Sequence, residues 1–438
     1  RLGCCNTIGA VAIAYGLFPY LSHKAMKNTL LIAVTLLFGL GSVSAQISLD
    51  DYRIAVADYS YELGNARYAT IGAEADHRRA KKNYLPSLQS SRDMVLNFRK
   101  TDGGRRVDWV MRPEITQPVI DGGALRAETK QAEEALKVAR ADELKAMLDV
   151  VFEAEQAYWS LSRAEIYRRA ISDYITIVRS LREVVLHRFE EGYISKSDLL
   201  QVESRMSDAE YQLSAAEQNY LVELHNFNIL RGESPSLAVE LKNSILDSIA
   251  MPLRVDVESV VRFRPEYRAS VARSESARWG IKAASAEFVP SLNVSLFGLV
   301  DAGELKGGKI RLDGGMLFSF TTPIFHFRER KQALISARSA HHRAELAVAD
   351  MVDRITLEES DGWTNILNSR SRVDATRRNL ELAHENLEIS TYSYREGLST
   401  ILDVLQAQIS WLQIYTNAIT AQYDYAIAVA EYKRITSH

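Results

Sequence analysis

From residue 124 to residue 191 the chain contains neither glycine nor proline, a run of 68 residues rich in Ala, Glu, Leu, Arg and Lys. These are strong helix formers. At a rise of about 1.5 Å per residue such a run predicts a rod of roughly 100 Å, far beyond the three or so turns usual in a globular domain. Residues 193–231 form a second breaker-free run, 324–396 contain only Gly362, and 398–438 contain none. With 22 glycines and 9 prolines in 438 residues, most of the chain must lie in long regular elements joined by few turns. Apolar positions such as Leu144, Met147, Leu148, Val151, Phe152 and Ala154 recur at spacings of three and four, which makes a narrow, coiled-coil-like stripe.

The two halves of the chain match at a constant offset. Pro118 and Pro323, Glu191 and Glu396, Gly192 and Gly397, Asp198 and Asp403, Leu200 and Leu405, Gln201 and Gln406, and Tyr220 and Tyr425 are all 205 residues apart. Upstream, Leu85-Pro86-Ser87-Leu88 matches Val289-Pro290-Ser291-Leu292 at 204. An offset held over about a hundred residues reads as a tandem duplication. The expected first repeat spans 46–232, with a helix, a strand pair over 87–118, a long helix over 124–190 and a helix over 195–231. After a linker at 233–255, the second repeat spans 256–438, with a helix, a strand pair over 291–322, a long helix over 324–395 and a helix over 400–435.

Between the prolines the periodicity changes from about 3.6 to 2, the mark of strands with one apolar face. Val107, Trp109, Met111, Ile115 and Val119 alternate with Asp108, Arg112, Glu114 and Thr116, and Ile310, Leu312, Met316, Phe318 and Phe320 alternate with polar residues. Leu292, Val294 and Leu296 begin another such strand, while Ser87 to Phe98 is poorer because Arg92 interrupts its apolar face. Pro113 is a blemish, since strand prolines sit at edges or bulges. Turns at Asp102-Gly103-Gly104 and Gly303 to Gly308 are expected to close two hairpins.

Residues 26–45, MKNTLLIAVTLLFGLGSVSA, have a basic start at Lys27, an apolar stretch from Leu30 to Leu40 and the small-residue pattern Val43-Ser44-Ala45, which together read as a secretory signal peptide. Residues 1–25 read as an extension upstream of it. Removing 1–45 takes away Arg1, Lys24, Lys27 and no acid, leaving 50 basic and 56 acidic residues, a net charge of −6. No basic block remains to attract nucleic acid. Both cysteines, Cys4 and Cys5, also fall in the removed part, and Gln46 stands where a lipid anchor would need a cysteine, so neither a disulfide nor lipidation is expected. Strands of about 10 to 12 residues with one apolar face suit either a small soluble sheet or a tilted bilayer crossing. A cleaved signal favours the bilayer. Four strands fall short of the roughly eight that close a transmembrane barrel, so about three copies would have to share one.

Several segments carry a family resemblance in their order and duplication. They are Ile47-Ser48-Leu49-Asp50-Asp51-Tyr52-Arg53-Ile54-Ala55, the run AKKNYLPSL from Ala80 to Leu88, and the paired turns RFEEGYISKSDLLQ from Arg188 and YREGLSTILDVLQ from Tyr394. In these the chain resembles the TolC-type outer-membrane efflux proteins over essentially the whole mature length. The resemblance implies a mainly α fold with a small β portion: a homotrimer sharing a transmembrane β-barrel, four strands per chain, and a long α-helical barrel in the periplasm. It implies as partners a periplasmic adaptor (membrane fusion) protein, an inner-membrane transporter and outer-membrane lipid. By the same resemblance Gly192, Tyr193, Ile194 and Ser195, with Gly397, Leu398, Ser399 and Thr400, form the adaptor-docking tip. Read directly, each glycine permits the positive φ of a helix end, and Ser195 or Ser399 can cap the next helix. Asp198 and Asp403 lie near the starts of the returning helices, where a carboxylate suits the helix dipole. The resemblance adds that Asp403 lines a periplasmic gate and that Asp198 and Tyr394 latch neighbouring helices. Gln406 stands where some members have a second aperture acid, and Ser399 where they have a basic latch partner.

Enzyme chemistry is not expected, nor a cofactor or metal. The nine histidines are scattered, no HExxH or cysteine cluster exists, and His341-His342 point apart on a helix. Tyr158, Trp159, Trp363 and Trp411 fall on the helical stripe as packing residues. The expected function is a passive exit duct of a tripartite efflux or type I secretion system. The alternative is a periplasmic adaptor or coiled-coil scaffold, which would carry one helical hairpin flanked by several β modules.

Overall fold

The computed structural model describes residues 46–96, 107–301, 311–325 and 327–437. The expected signal segment with its extension, and both expected hairpin turns, lie outside the described residues. The element order is α1 (Leu49–Tyr59), α2 (Tyr61–Lys82), β1 (Ser87–Leu96), β2 (Val107–Ile120), α3 (Ala124–Glu190), α4 (Lys196–Leu230), α5 (Val257–Phe263), α6 (Pro265–Ala286), β3 (Ser291–Asp301), β4 (Arg311–Thr321), α7 (Glu329–Arg395) and α8 (Ile401–Thr436). Both α3 and α7 are 67 residues long, with bounds 205 apart at each end; α2 and α6 are both 22 residues, with bounds 204 apart.

The long helices persist because their apolar residues form a seam. Buried Ala157, Ala164, Ile171, Val178 and Val185 recur every seventh residue on α3, and Val202, Ala209 and Ala216 do so on α4. A strict seven-residue repeat keeps one stripe facing the partner as the helices wind together, and alanine lets the axes approach closely. α3 packs on α4, α7 on α8, and α8 also on α3. At Gly362 a Cβ would stand 3.0 Å from Ile435 Cδ1 and 3.3 Å from Tyr432 Cδ2, so α7 and α8 approach closely there and a larger residue would have to displace the Ile435 side chain.

The linker between the repeats is a strap tied to buried polar groups. The Asn243 N–H donates to Tyr158 Oη at 3.0 Å, the Ile245 N–H to Ser162 Oγ at 2.9 Å, and the Val255 N–H to Tyr432 Oη at 3.1 Å. Arg254 grips both oxygens of fully buried Glu359 at 3.1 Å, and Tyr432 Oη donates to the same carboxylate at 3.2 Å. These bonds satisfy backbone and charged groups that burial would otherwise penalise.

The four strands form one antiparallel sheet in the order β1-β2-β3-β4. Leu88, Ile115, Leu296 and Met316 stand side by side across it, and all four are exposed. Phe318 and Phe320 extend this apolar face, whereas Gln89, Glu114, Thr116, Ser295 and Ser319 lie on the other. An exposed apolar face of this extent is the mark of an interaction surface.

Several boundaries differ from expectation, the larger ones for local reasons. The strand pair expected to end at 118 runs to Ile120. The extra residue is a bulge between Pro118 and Ile120, so Ile120 opposes Leu292 while Val119, expected on the apolar face, drops out of register. Pro113 sits inside a central strand, opposite Ser90 of β1, while pairing with β3 skips from Met111 to Glu114. The helix expected from 324 starts at Glu329, because Phe327 (φ 37°) and Arg328 (φ 67°) adopt left-handed backbone. They lie 205 residues after Gly122 (φ 65°) and Gly123 (φ 89°), so the turn is repeated without the glycines that announced it. The helices expected over 195–231 and 400–435 are Lys196–Leu230 and Ile401–Thr436.

Candidate functional site

The candidate site is the end of the helical rods where α3 turns into α4 and α7 into α8. Both turns are built alike. Gly192 (φ 80°) donates its N–H to the Phe189 carbonyl at 3.0 Å and Tyr193 donates to the Arg188 carbonyl at 2.9 Å; Gly397 (φ 77°) and Leu398 bond the Tyr394 and Ser393 carbonyls at 3.0 and 2.8 Å. This pair of bonds closes a helix whose next residue is left-handed, a position open to glycine at no steric cost.

Three residues after each glycine a hydroxyl residue starts the returning helix. Ser195 Oγ accepts the Asp198 N–H at 3.3 Å, while Asp198 Oδ2 accepts the Ser195 N–H at 3.2 Å. In the second turn Asp403 Oδ2 accepts from the Thr400 N–H at 2.8 Å and from the Thr400 hydroxyl at 2.7 Å. The cap expected of Ser399 therefore belongs to Thr400, which lies 205 residues after Ser195. Ser399 Oγ is instead buried without a hydrogen-bond partner. Asp198 and Asp403 thus close the helix starts, and the bonds from the Thr400 hydroxyl and backbone hold the Asp403 carboxyl below its ordinary pKa. Asp403 is ionised at neutral pH and exposed.

Tyr394 lies in a core beneath the turns with Leu181, Val185, Val202, Ile401, Val404 and Leu405. Burial raises its pKa, and its Oη is buried without a hydrogen-bond partner. It is not hydrogen-bonded to Asp198 within the protomer. Its contact is Arg188, a residue that sequence reasoning missed. The Arg188 guanidinium donates to the Tyr394 carbonyl at 3.1 Å and the Arg395 carbonyl at 2.6 Å, and lies 5.0 Å from the Tyr394 ring centroid. A cation from α3 thereby caps the C-terminus of α7, where unpaired carbonyls and the helix dipole favour it. The signal was present in the repeat: position 205 after Arg188 is Ser393, so only the first turn carries a cation at this place.

Of the remaining tip residues, Ile194 packs against the Tyr394 core, whereas Tyr193 and Leu398 face outward. Tyr193 is 77% and Leu398 80% exposed, two large apolar side chains at the extreme end. Between the first turns of α4 and α8 runs a groove of about 460 Å³ lined by Leu200, Gln201, Leu402, Leu405, Gln406 and Ile409, so that Gln406 and its repeat counterpart Gln201 line the same groove.

Comparison with known proteins identifies the family. Residues 58–230 and 259–437 match the outer membrane efflux protein family, so the match covers both repeats. The chain belongs to that family. The nodulation protein T of Rhizobium leguminosarum bv. trifolii is 24% identical over 314 residues, which are 67% of this chain and 64% of that protein; the chain thus spans somewhat less than two thirds of that relative. The solved structure of CusC superposes with a TM-score of 0.79 at 14% identity, covering 90% of this chain and 92% of CusC. VceC of Vibrio cholerae superposes at 0.75 and 19% identity, covering 89% and 95%. Such likenesses show a TolC-like channel fold, mainly helical with four strands per chain. Among the described residues no helix is long and apolar enough to cross a membrane.

Proposed function

We propose that this outer-membrane efflux channel works as a homotrimer, the passive exit duct of a tripartite efflux or type I secretion system. A periplasmic adaptor and an inner-membrane transporter deliver substrate to it. The observation that carries this reading is the sheet: four strands with an exposed apolar face, and outer edges on β1 and β4 that bond no other described strand. Three such sheets supply about twelve strands, enough to close a barrel whose apolar face meets outer-membrane lipid and whose polar face lines a water-filled lumen. The rods of α3 and α7 then project into the periplasm. Energy comes from the transporter, since a duct without chemistry supplies none.

The tip turns dock the adaptor through Gly192, Tyr193, Ile194 and Ser195 and through Gly397, Leu398, Ser399 and Thr400, with exposed Tyr193 and Leu398 as its apolar contacts. Threefold symmetry makes Asp403 a ring of like charge that favours cations at the constriction. Gln406 extends the ring without charge, while Asp198 and Tyr394 set the helix ends around it. A heat-resistant trimer, released only by detergent from outer membranes, is the expected product of expression. A soluble monomer would sink the channel reading, and with it the choice against an adaptor or scaffold. Cysteines at Tyr193 or Leu398 are expected to crosslink to an adaptor in cells.

A further inference from the structure

The two hairpins share one register. Leu88 stands opposite Ile115 in β1–β2, and the repeat offsets of 204 and 205 carry this pair onto Leu292 and Phe320, which stand opposite each other in β3–β4. Ser87 with Thr116 maps in the same way onto Ser291 with Thr321, and Arg92 with Met111 onto Leu296 with Met316. The offsets therefore convert one hairpin into the other position by position. The join between hairpins, β2 to β3, occurs once within the chain, and the outer edges of β4 and β1 pair with no other described strand. Applied to the join, the same offsets turn Thr116 with Ser295 into Thr321 with Ser91, and Ile120 with Leu292 into Phe325 with Leu88.

Resting on the trimeric reading, we infer that a second copy of this chain lays its β1 edge along β4 in that register, with Thr321 beside the partner's Ser91 and Phe325 beside the partner's Leu88. Three observations support it. Thr116 Oγ1 and Ser295 Oγ lie 2.9 Å apart within the chain, and the offset positions are again threonine and serine. Phe325 and Leu88, 70% and 74% exposed in the protomer, fall opposite each other on the apolar face. β4 also stops at Thr321, whereas β2 runs four residues past the equivalent Thr116 to Ile120, where β3 holds it. Residues 322–325 lack strand pairing because their partner belongs to the next subunit.

The seam is not a copy of the join throughout. A Cβ on Gly122 would stand 2.9 Å from the Ala286 carbonyl oxygen and from Val289 Cβ, a space its counterpart Phe327 cannot enter. The helical end of the seam therefore stands wider, and exposed Phe327, its ring 4.6 Å from that of Phe325, fills it against the partner's Leu85, itself 61% exposed here. A closed ring of subunits then has tight joins within chains alternating with aromatic-filled seams between them.

Disulfide crosslinking in the full-length detergent-solubilised protein tests this, because the sequence has no cysteine beyond Cys5 and directly opposed strand positions lie within disulfide reach. The pairs Thr321→Cys with Ser91→Cys and Phe325→Cys with Leu88→Cys probe opposite faces, so one survives if the other disturbs assembly. Each pair is expected to give oxidant-dependent covalent dimers and trimers on denaturing gels, and each single variant none. The slipped pair Phe325→Cys with Ser90→Cys keeps the face but moves two residues, and is expected to stay uncrosslinked. A native trimer in which the slipped pair crosslinks, or in which neither designed pair does, overturns the register while leaving the trimeric reading intact. A chain that never forms a trimer overturns that reading itself.

Discussion

Replacing Arg188 with alanine should loosen one tip turn and spare the other. The side chain makes two charge-assisted hydrogen bonds to the last carbonyls of α7, at 3.1 and 2.6 Å, and covers the face of the buried Tyr394 ring. Bonds of this type contribute about 1.5 kcal/mol or more each, and a partly exposed cation over a ring about 0.5 kcal/mol. Water replaces part of this in the variant, because the Arg395 end is exposed. The net loss is about 2 kcal/mol, or about 30-fold in the opening equilibrium of the second turn. Hydrogen exchange on the assembled protein reads this directly. The amides of Gly397 and Leu398, which bond the Tyr394 and Ser393 carbonyls, should exchange about 30-fold faster, taking that opening as the exchange-competent event. Those of Gly192 and Tyr193 should keep their rates, because the first turn uses only the backbone of Arg188. Arg188→Lys keeps the charge without the planar fork and should fall between. Unchanged exchange at Gly397 and Leu398, or an equal rise in both turns, would refute the assignment of Arg188 as an inter-helix cap.

Asp403→Ala should alter single-channel conductance and weaken cation preference in planar bilayers, and unchanged values would remove Asp403 from the constriction. The Asp403 pKa is lowered by its bonds to Thr400, so its contribution to the start of α8 is complete above the ordinary carboxylate range and fades as pH falls through the lowered value; amide exchange at Thr400 should accelerate only in that acid window. Arg328→Gly should raise the thermal midpoint, because relief of a left-handed residue, about 1 to 2 kcal/mol, outweighs the extra chain freedom of glycine, about 0.4 to 1 kcal/mol. Glu359→Ala should destabilise the fold by denaturant unfolding, since it leaves buried Tyr432 Oη without its acceptor, about 1 to 3 kcal/mol, while half-exposed Arg254 turns to water; no measurable cost would mean the strap is not held there.

Helix length, order and repetition were legible because they depend on local chemistry: breaker-free runs cannot turn, and a seven-residue stripe commits a helix to a partner along its whole length. The tip turns were legible at Gly192, Gly397 and Ser195, which supply φ permission and a cap within a few residues, whereas the second cap fell on Thr400 and not on the expected Ser399. Where identity and conformation part, reading failed. The left-handed turn at Phe327 and Arg328 carries no glycine, and the bulge at Val119 reverses a face that strict alternation had assigned. Arg188 was missed because its role is set by carbonyls on another helix.

By itself, then, the sequence determined the secondary structure, the duplication and the family, since each rests on residue type and spacing along one chain. Only the tertiary structure decided which polar groups meet across helices: Arg188 on α7, Arg254 on Glu359, and the strap on Tyr158, Ser162 and Tyr432. It also decided the common register of the two hairpins, which converts the internal repeat into a statement about neighbouring subunits. Register depends on hydrogen bonds between segments up to about two hundred residues apart, and no local preference encodes a pairing over that distance.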